Sequence, residues 1–504
     1  MSSTRPRPRT LGMCPVTAGL LMACTVGPQY QRPPASVPPN YKESSAAAYQ
    51  GAAAGSWRPA APADAALKGD WWRIFNEPEL DALEQQLNIN NQTLVEYFQN
   101  FMAARAQVAQ ARAGLFPTVS VAPSVTRSHQ AAGVSSVVTT GSGGTTGTTG
   151  ATAGGTREPI TVFSLPADVS WAPDLWGRIR NTVAAYRYAA QVSAADLQNE
   201  TLTEQASLAE YYFELRGEDA LQDIYNRTAA ADQQSLDLTK ALLDTGIDNA
   251  EDVAGAQVTL ANALASAAGV AATRAQYEHA IAMLIGKPAS EFSLPVKNLS
   301  TTPPPIPIAV PSALLQRRPD IAAAERTMAE ANAQIGVATA AYYPSLTLSG
   351  SSGFESTDLG SLFSASGFLW SLGATASETL FDGGLRHATV AQYRATYNAD
   401  VAAYRQTVLT AFQQVEDGIA TLRVLSNQLA RQQDAVKAAQ QYVDIATARY
   451  QTGLDPYLDV MTAQTTLLSD RLTQVTQQVS ELTGAVELIQ ALGGGWNASQ
   501  LPSH

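Results

Sequence analysis

The sequence predicts an α+β membrane protein made by internal duplication, each half reading helix, two strands, long helix, turn, helix. Three observations predict it. Short motifs return at fixed offsets along the 504 residues, apolar residues step by threes and fours without a break through one long segment, and a strict apolar/polar alternation precedes that segment.

The chain opens with Arg5, Arg7 and Arg9, a short apolar stretch Leu11–Met22, and Leu21-Met22-Ala23-Cys24. This reads as an export signal over residues 1–23, too short to span a bilayer, and the last four residues resemble a bacterial lipobox. Cys24 is therefore the expected lipidation site and first mature residue. Its covalent lipid is the only attached group expected, with no other cofactor. Cys14 lies within the signal, so the mature chain keeps one thiol and can form no internal disulfide. Residues 24–70, with Pro33-Pro34 and Pro38-Pro39, read as a lipid-anchored extended segment without a core.

Composition excludes several function classes. Charged residues make up 15% of the chain, against roughly 25% in an average soluble protein. Loss of the three signal arginines takes the formal charge from −12 to −15, and no Lys/Arg cluster offers a footing for nucleic acid. His129, His279, His387 and His504 lie far apart, none in metal-ligand spacing or beside a nucleophile motif. No phosphate-cradling G-x-x-x-x-G-K occurs. The chain is expected to be no enzyme and to bind no metal, and any energy must come from a partner.

The duplication sets the organisation. Thr245–Val253 returns as Thr452–Val460, and Leu284-Ile285-Gly286 as Ala491-Leu492-Gly493, both offset by 207; Phe116–Val121 returns as Tyr343–Leu348, offset by 227. The extra 20 residues fall in the first repeat, within the uncharged Gly/Ser/Thr tract Ala131–Thr156, expected as an extracellular loop. The first repeat thus covers 71–300 and the second 301–495, with a tail at 496–504.

In the second repeat Tyr393, Tyr397, Val401, Tyr404, Val408, Phe412, Val415, Ile419 and Leu422 form one continuous helical stripe. Leu385–Thr452 would run about 100 Å at roughly 1.5 Å per residue. Ile179–Thr245 is its counterpart. The flanking helices, 80–114 with 248–285 and 311–341 with 455–492, are expected to stack end to end in pairs alongside the long ones. Strands are expected at about 117–130 and 158–172, then at about 344–356 and 367–381. In the last, Phe368, Trp370, Leu372, Ala374, Ala376 and Leu380 share one parity, and Ser371, Gly373, Thr375, Ser377 and Thr379 the other, as in a lipid-facing strand with a polar lumen side. Four strands cannot close a barrel, so the barrel must be shared among chains.

Arg317-Arg318-Pro319-Asp320-Ile321, Val26–Tyr30, Trp71–Phe75, Asp174–Arg178, Leu380–Gly384 and Arg449–Gly453 occur in an order and spacing that resemble the outer-membrane factor family of tripartite efflux systems, in its TolC/OprM/NodT-like lipoprotein branch. The resemblance implies a homotrimer with a 12-stranded transmembrane β-barrel, four strands per chain, continued by a long periplasmic α-helical barrel. It also implies a periplasmic adaptor, an inner-membrane transporter of the RND type, and drugs, solvents or metal ions as cargo. A type I protein-secretion duct shares the architecture and stays open as an alternative, as does a non-conducting envelope scaffold.

The two turns hold the remaining candidates. Gly246 and Gly453 suit left-handed helix C-caps, and Asp248 and Asp455 suit the N-caps that follow, with Glu251 in a capping box and Pro456 at the first helical position. Capping leaves Asp252 and Asp459 unexplained. The resemblance implies that these acids line a periplasmic gate latched by a Tyr–Asp hydrogen bond, here Tyr450 with Asp252, although a basic residue of that latch corresponds to Asp455.

Overall fold

A computed structural model describes residues 25–35, 37–43, 69–129, 159–246, 249–299, 301–304, 306, 316–496, 499 and 501–502. Cys24, the 131–156 tract and Asp248 lie outside them. The described residues fall into two compact units, one drawn from residues up to 32, 103–190 and 327–400, the other from 33–102, 191–326 and 401 onward.

The helices repeat in length as well as order. The first repeat carries α1 (Pro78–Asn90), α2 (Gln92–Ala113, 22 residues), α3 (Arg178–Asp244, 67) and α4 (Ala250–Leu284, 35). The second carries α5 (Pro319–Ala340, 22 residues), α6 (Leu385–Gln451, 67) and α7 (Tyr457–Ala491, 35). Expected helix 80–114 is two helices. Asn91 adopts ψ 124, and its Oδ1 accepts from the Leu94 backbone N–H at 3.0 Å, so it caps a new start rather than continuing the old turn.

That break belongs to a joint found twice. Asn91 Nδ2 donates to the Leu284 carbonyl at 2.9 Å, and 227 residues on, Arg318 Nη1 donates to the Ala491 carbonyl at 3.1 Å. Gly286, at φ +71, packs on the Asn90 carbonyl, and Gly493, at φ +89, on the Arg317 carbonyl. In each repeat a short helix therefore ends where the other short helix begins, and a side chain takes up the carbonyl left free at the helix end. Arg318 also forms a two-pronged pair with Asp320 and reaches Gln414 on α6 at 2.7 Å.

Buried charge ties the first repeat together. Arg216 on α3 bonds Asp219 at 2.7 Å, Glu79 at 2.6 Å and the Pro295 carbonyl, while Asp219 also accepts from Arg274 on α4 at 2.6 Å and from the Lys297 N–H. Each charge of this cluster is thus met by opposite charge or backbone dipole, the condition for tolerating it inside. α4 has the length and mean hydropathy (1.3) of a membrane span, although the sequence shows no uninterrupted apolar run there; Arg274 and Glu278 anchor its second half to these ion pairs.

The five strands are β1 (Thr118–Val121), β2 (Ser124–Ser128), β3 (Ile160–Trp171), β4 (Ser345–Ser356) and β5 (Phe368–Ser377). The sheet order is β1-β3-β4-β5, all antiparallel, and β2 continues the β1 column along β3. β5 stops at Ser377, short of the expected end, one residue before Glu378 would place a charge on the apolar parity.

The N-terminal segment is less free than its composition predicts. The Val26 N–H bonds the Trp176 carbonyl at 3.1 Å, and Asn181 and Asn332 donate to the Val26 and Pro28 carbonyls. In the other unit Tyr41 is 3% exposed, and the Lys42 and Glu43 N–H groups both donate to the Glu416 carboxylate. Docking through backbone groups leaves no side-chain periodicity, so composition alone reads it as a free tether.

The joints make a stability prediction. Gly286→Ala and Gly493→Ala should each cost about 1–3 kcal/mol, because a left-handed backbone and a carbonyl contact oppose any Cβ. Gly269→Ala, inside α4 with nothing within 4 Å of a new Cβ, should be neutral or stabilising by about 0.5–1 kcal/mol. Thermal unfolding of the three variants in detergent is the measurement, and equal midpoints would remove the joints' role.

Candidate functional site

The sheet register separates two chemistries. Opposite residues of an antiparallel pair point to the same face, so Trp171, Val169 and Leu165 of β3 join Leu348 and Phe354 of β4 and Phe368, Leu372 and Ala374 of β5 on one side. Val119, Val121 and Val125 extend that side across the first column. The other side carries Ser164, Asp168, Ser170, Thr347, Ser351, Glu355, Ser371 and Thr375. Among the described residues no segment covers the apolar side: Leu372 is 81% exposed, Val119 69% and Trp370 66%. Burying it in hydrocarbon would contribute roughly 25 cal/mol per Å².

Aromatic groups gather where the strands meet the helices. Trp176 stacks on Tyr343 at 4.9 Å and donates to the Pro344 carbonyl, Trp171 donates to the Leu115 carbonyl, and Arg386 lies over Tyr342. Asp174 accepts from the Ile179 and Arg180 N–H groups and caps α3; Asp382 takes the Gly384 and Arg386 N–H groups at the start of α6. Amphipathic rings at one rim are the pattern of a membrane interface.

The second feature is the pair of turns. Gly246 (φ +75) and Gly453 (φ +71) stand in the left-handed region, their N–H groups on the Leu243 and Tyr450 carbonyls. The N-caps differ from expectation. Asn249, rather than Asp248, caps α4: its side chain accepts from the Asp252 N–H at 3.0 Å, which puts Asp252, not Glu251, at the third helical position. α7 begins at Tyr457 with Pro456 as N-cap and no side-chain cap bond. Asp455 instead pairs with Arg449 across the turn, at 2.5 and 2.8 Å, because the guanidinium is within reach and the ring of Pro456 occupies the cap. That pair holds the Asp455 carboxyl below the usual range. Asp459 adds to the field on Arg449 and, with it, keeps the guanidinium charged.

Both turns pack together through their sides. Leu236 and Ala256 of the first hairpin form one core with Ala446, Tyr450, Tyr457, Val460 and Ala463 of the second. Tyr450, 5% exposed, donates to Thr239 Oγ1 at 3.4 Å and lies 5.3 Å from the Tyr457 ring; Gln464 donates to Ser235 Oγ. Asp252 and Asp459 are half-buried at the rim of this core. Burial, then the charges of Asp232 and Asp252, push the Tyr457 hydroxyl up.

Asp232, a residue the sequence reading passed over, is the oddity of the core. It is 1% exposed and neither carboxylate oxygen has a hydrogen-bond partner. Burial raises its pKa from 3.8 to about 6. The signal was available in the duplication, since 207 residues on stands Ala439, also buried. An acid in one repeat where the other has a methyl group marks a departure from simple core packing.

A pH dependence follows. The packed form favours the neutral acid, so the packing is at its firmest below about pH 4 and weakens as pH rises through about 6, by about 3 kcal/mol in all. Asp232→Asn should raise the thermal midpoint at pH 7.5 and flatten its slope between pH 4 and 7. An unchanged slope in the variant would assign the pH response to other groups.

Comparison with known proteins now places the chain. The family model described as outer membrane efflux protein matches residues 83–287 and 310–494. The toluene efflux pump outer membrane protein TtgC of Pseudomonas putida is 32% identical over 484 residues, 95% of this chain and 94% of the relative. The antibiotic efflux pump outer membrane protein ArpC of Pseudomonas putida matches to the same extent. Among solved structures, the outer-membrane channel OprN superposes with a TM-score of 0.79 at 28% identity, covering 94% of this chain and all of that one. With the bare apolar sheet face and the repeated long helices, these matches settle the family: the chain belongs to the outer membrane efflux proteins, channel components of efflux pumps that sit in the outer membrane and extend into the periplasm.

Proposed function

We propose that three copies of the chain close a 12-stranded barrel through the outer membrane and continue it as a helical tube, a passive duct served by a periplasmic adaptor and an inner-membrane transporter of the RND type. The sheet carries this reading. Among the described residues its β5 edge and its β1/β2 edge are both open, and in hydrocarbon each unpaired N–H and C=O would cost several kcal/mol. Pairing β5 of one copy with β1/β2 of the next satisfies both edges, and three four-column sheets turn the Ser/Thr face into a wetted lumen. The 10 residues of β5 reach about 33 Å along the strand, or about 25 Å when tilted near 40°, matching the apolar band of such barrels.

Small organic molecules are the cargo class, supported by relatives named for toluene and antibiotic efflux pumps. Cys24 carries the covalent lipid, supported by the lipobox. Native mass spectrometry of protein from outer membranes tests assembly and anchor together. The expected mass is three chains, each beginning at an acylated Cys24; a stable conducting monomer would overturn the barrel, and an unmodified Cys24 would overturn the anchor alone.

The turns form the periplasmic mouth. In a trimer Asp252 and Asp459 supply six carboxylates around one opening, which concentrates cations there. Tyr450 ties the two hairpins by its bond to Thr239. In planar bilayers Tyr450→Phe should raise resting conductance, and Asp459→Ala should lower cation selectivity and weaken block by multivalent cations. Unchanged selectivity in a properly assembled Asp459 variant would leave that residue only its local field on Arg449.

A further inference from the structure

The first hairpin meets the second along one face of α3. Asp232, Leu236 and Thr239 follow steps of four and three residues and so lie on a single helix face. All three are buried, while Gln233, Gln234, Asp237 and Lys240 between and beside them are exposed. Leu236 belongs to the core shared with Tyr450, Tyr457 and Val460, and Thr239 accepts from the Tyr450 hydroxyl at 3.4 Å. Asp232 stands seven residues back along this face, about 10 Å at roughly 1.5 Å per residue. One face thus carries the tie between the hairpins and, beside it, a buried carboxyl group whose oxygens meet no donor. Further up the same helix Asp219 is as deeply buried, yet Arg216 and Arg274 both hold it.

The groups gathered around Asp232 give it no counter-charge. From α7 the buried Tyr457 hydroxyl feels the charge of Asp232 and, from α4, that of Asp252. Gln464, also on α7, donates to Ser235 and leaves its own buried Oε1 without a donor. From α6 the Tyr450 ring lies 5.3 Å from the Tyr457 ring. These are two phenols, an amide and another acid. A carboxylate brings only acceptors to such a core, whereas its protonated form brings a donor. An uncompensated buried charge is strongly destabilising, so ionisation must draw in water, and water reaches this face of α3 only where the hairpins part. Packing does not demand the acid, since Ala439 fills the equivalent place in the second hairpin.

We infer that Asp232 is a proton-binding site that sets how tightly the two hairpins close: protonated, it lets α3 lie against α7; ionised, it brings water between them, loosens the Thr239–Tyr450 tie on the same face and widens the mouth. The inference rests on the turns being the periplasmic mouth, and it adds control of the duct by the acidity of the periplasm. Burial moves the carboxyl from 3.8 to about 6, roughly two pH units. The closed packing is therefore complete below about pH 4, is lost as pH rises to about 6, and changes up to about a hundredfold over that window.

The test compares full-length wild type with Asp232→Asn, which keeps the shape of the neutral acid, and Asp232→Ala, which copies the second hairpin. Amide hydrogen exchange over residues 228–244 and 457–468 reports the packing, and comparing proteins at one pH cancels the intrinsic exchange rate. At pH 4 the three should match; at pH 7 the wild type should exchange faster than either variant, by up to about a hundredfold. In planar bilayers the wild-type current should rise from pH 4 to pH 7 by more than that of either variant. Asp252 and Asp459 titrate in all three proteins, so the difference belongs to Asp232. Equal exchange at pH 7 would overturn the proton site. Exchange that follows pH as expected, beside a current that differs in none of the three, would instead overturn the placement of the mouth and with it the control of the duct.

Discussion

The constraint on which the structure turns is the backbone of the sheet. Among the described residues its four columns expose an apolar face at Leu372, Trp370 and Val119 and leave an unpaired edge on each side. In water the face is the difficulty, and in hydrocarbon the edges are. The proposed ring of copies, with the apolar sides outward and the edges paired in sequence, would relieve both. The sharp end of β5 before Glu378, the aromatic rim and the capped starts of α3 and α6 all sit at the boundary that this arrangement requires.

Duplication then explains why so extended a chain holds together. Each repeat uses helices of 22, 67 and 35 residues. At each joint a side chain takes the terminal carbonyl of one short helix and a glycine lets the next approach. The chemistry is not conserved between the copies, since Asn91 serves one joint and Arg318 the other. Geometry is what persists, because the free carbonyls of a helix end must be met by some donor whatever its kind.

The same comparison exposes where the halves part. Around the turns the second hairpin gives Tyr450 and Tyr457, the first gives Thr239, Ser235 and the unpartnered Asp232, and Ala439 stands where symmetry would put another acid. A core built from two unlike hairpins can respond to protonation at one of them. Its rim acids are likewise unequal: Asp252 sits at a capped helix start, whereas Asp459 lies in the field of the Arg449–Asp455 pair.

By itself the sequence determined the repeat, the two long helices, the four strand columns and their apolar/polar parity, because periods of 3.6 and 2 and the offsets of 207 and 227 are properties of residue order. It also picked out Gly246, Gly453, Asp252, Asp459 and Tyr450 as the residues of the turns. Only the tertiary structure decided the break at Asn91, the docking of Tyr41 and Glu43 on α6, the cap at Asn249, the engagement of Asp455 by Arg449 and the isolation of Asp232. Each of these depends on which polar group, distant in the chain or across a turn, comes within about 3 Å of another, and residue order does not encode that distance.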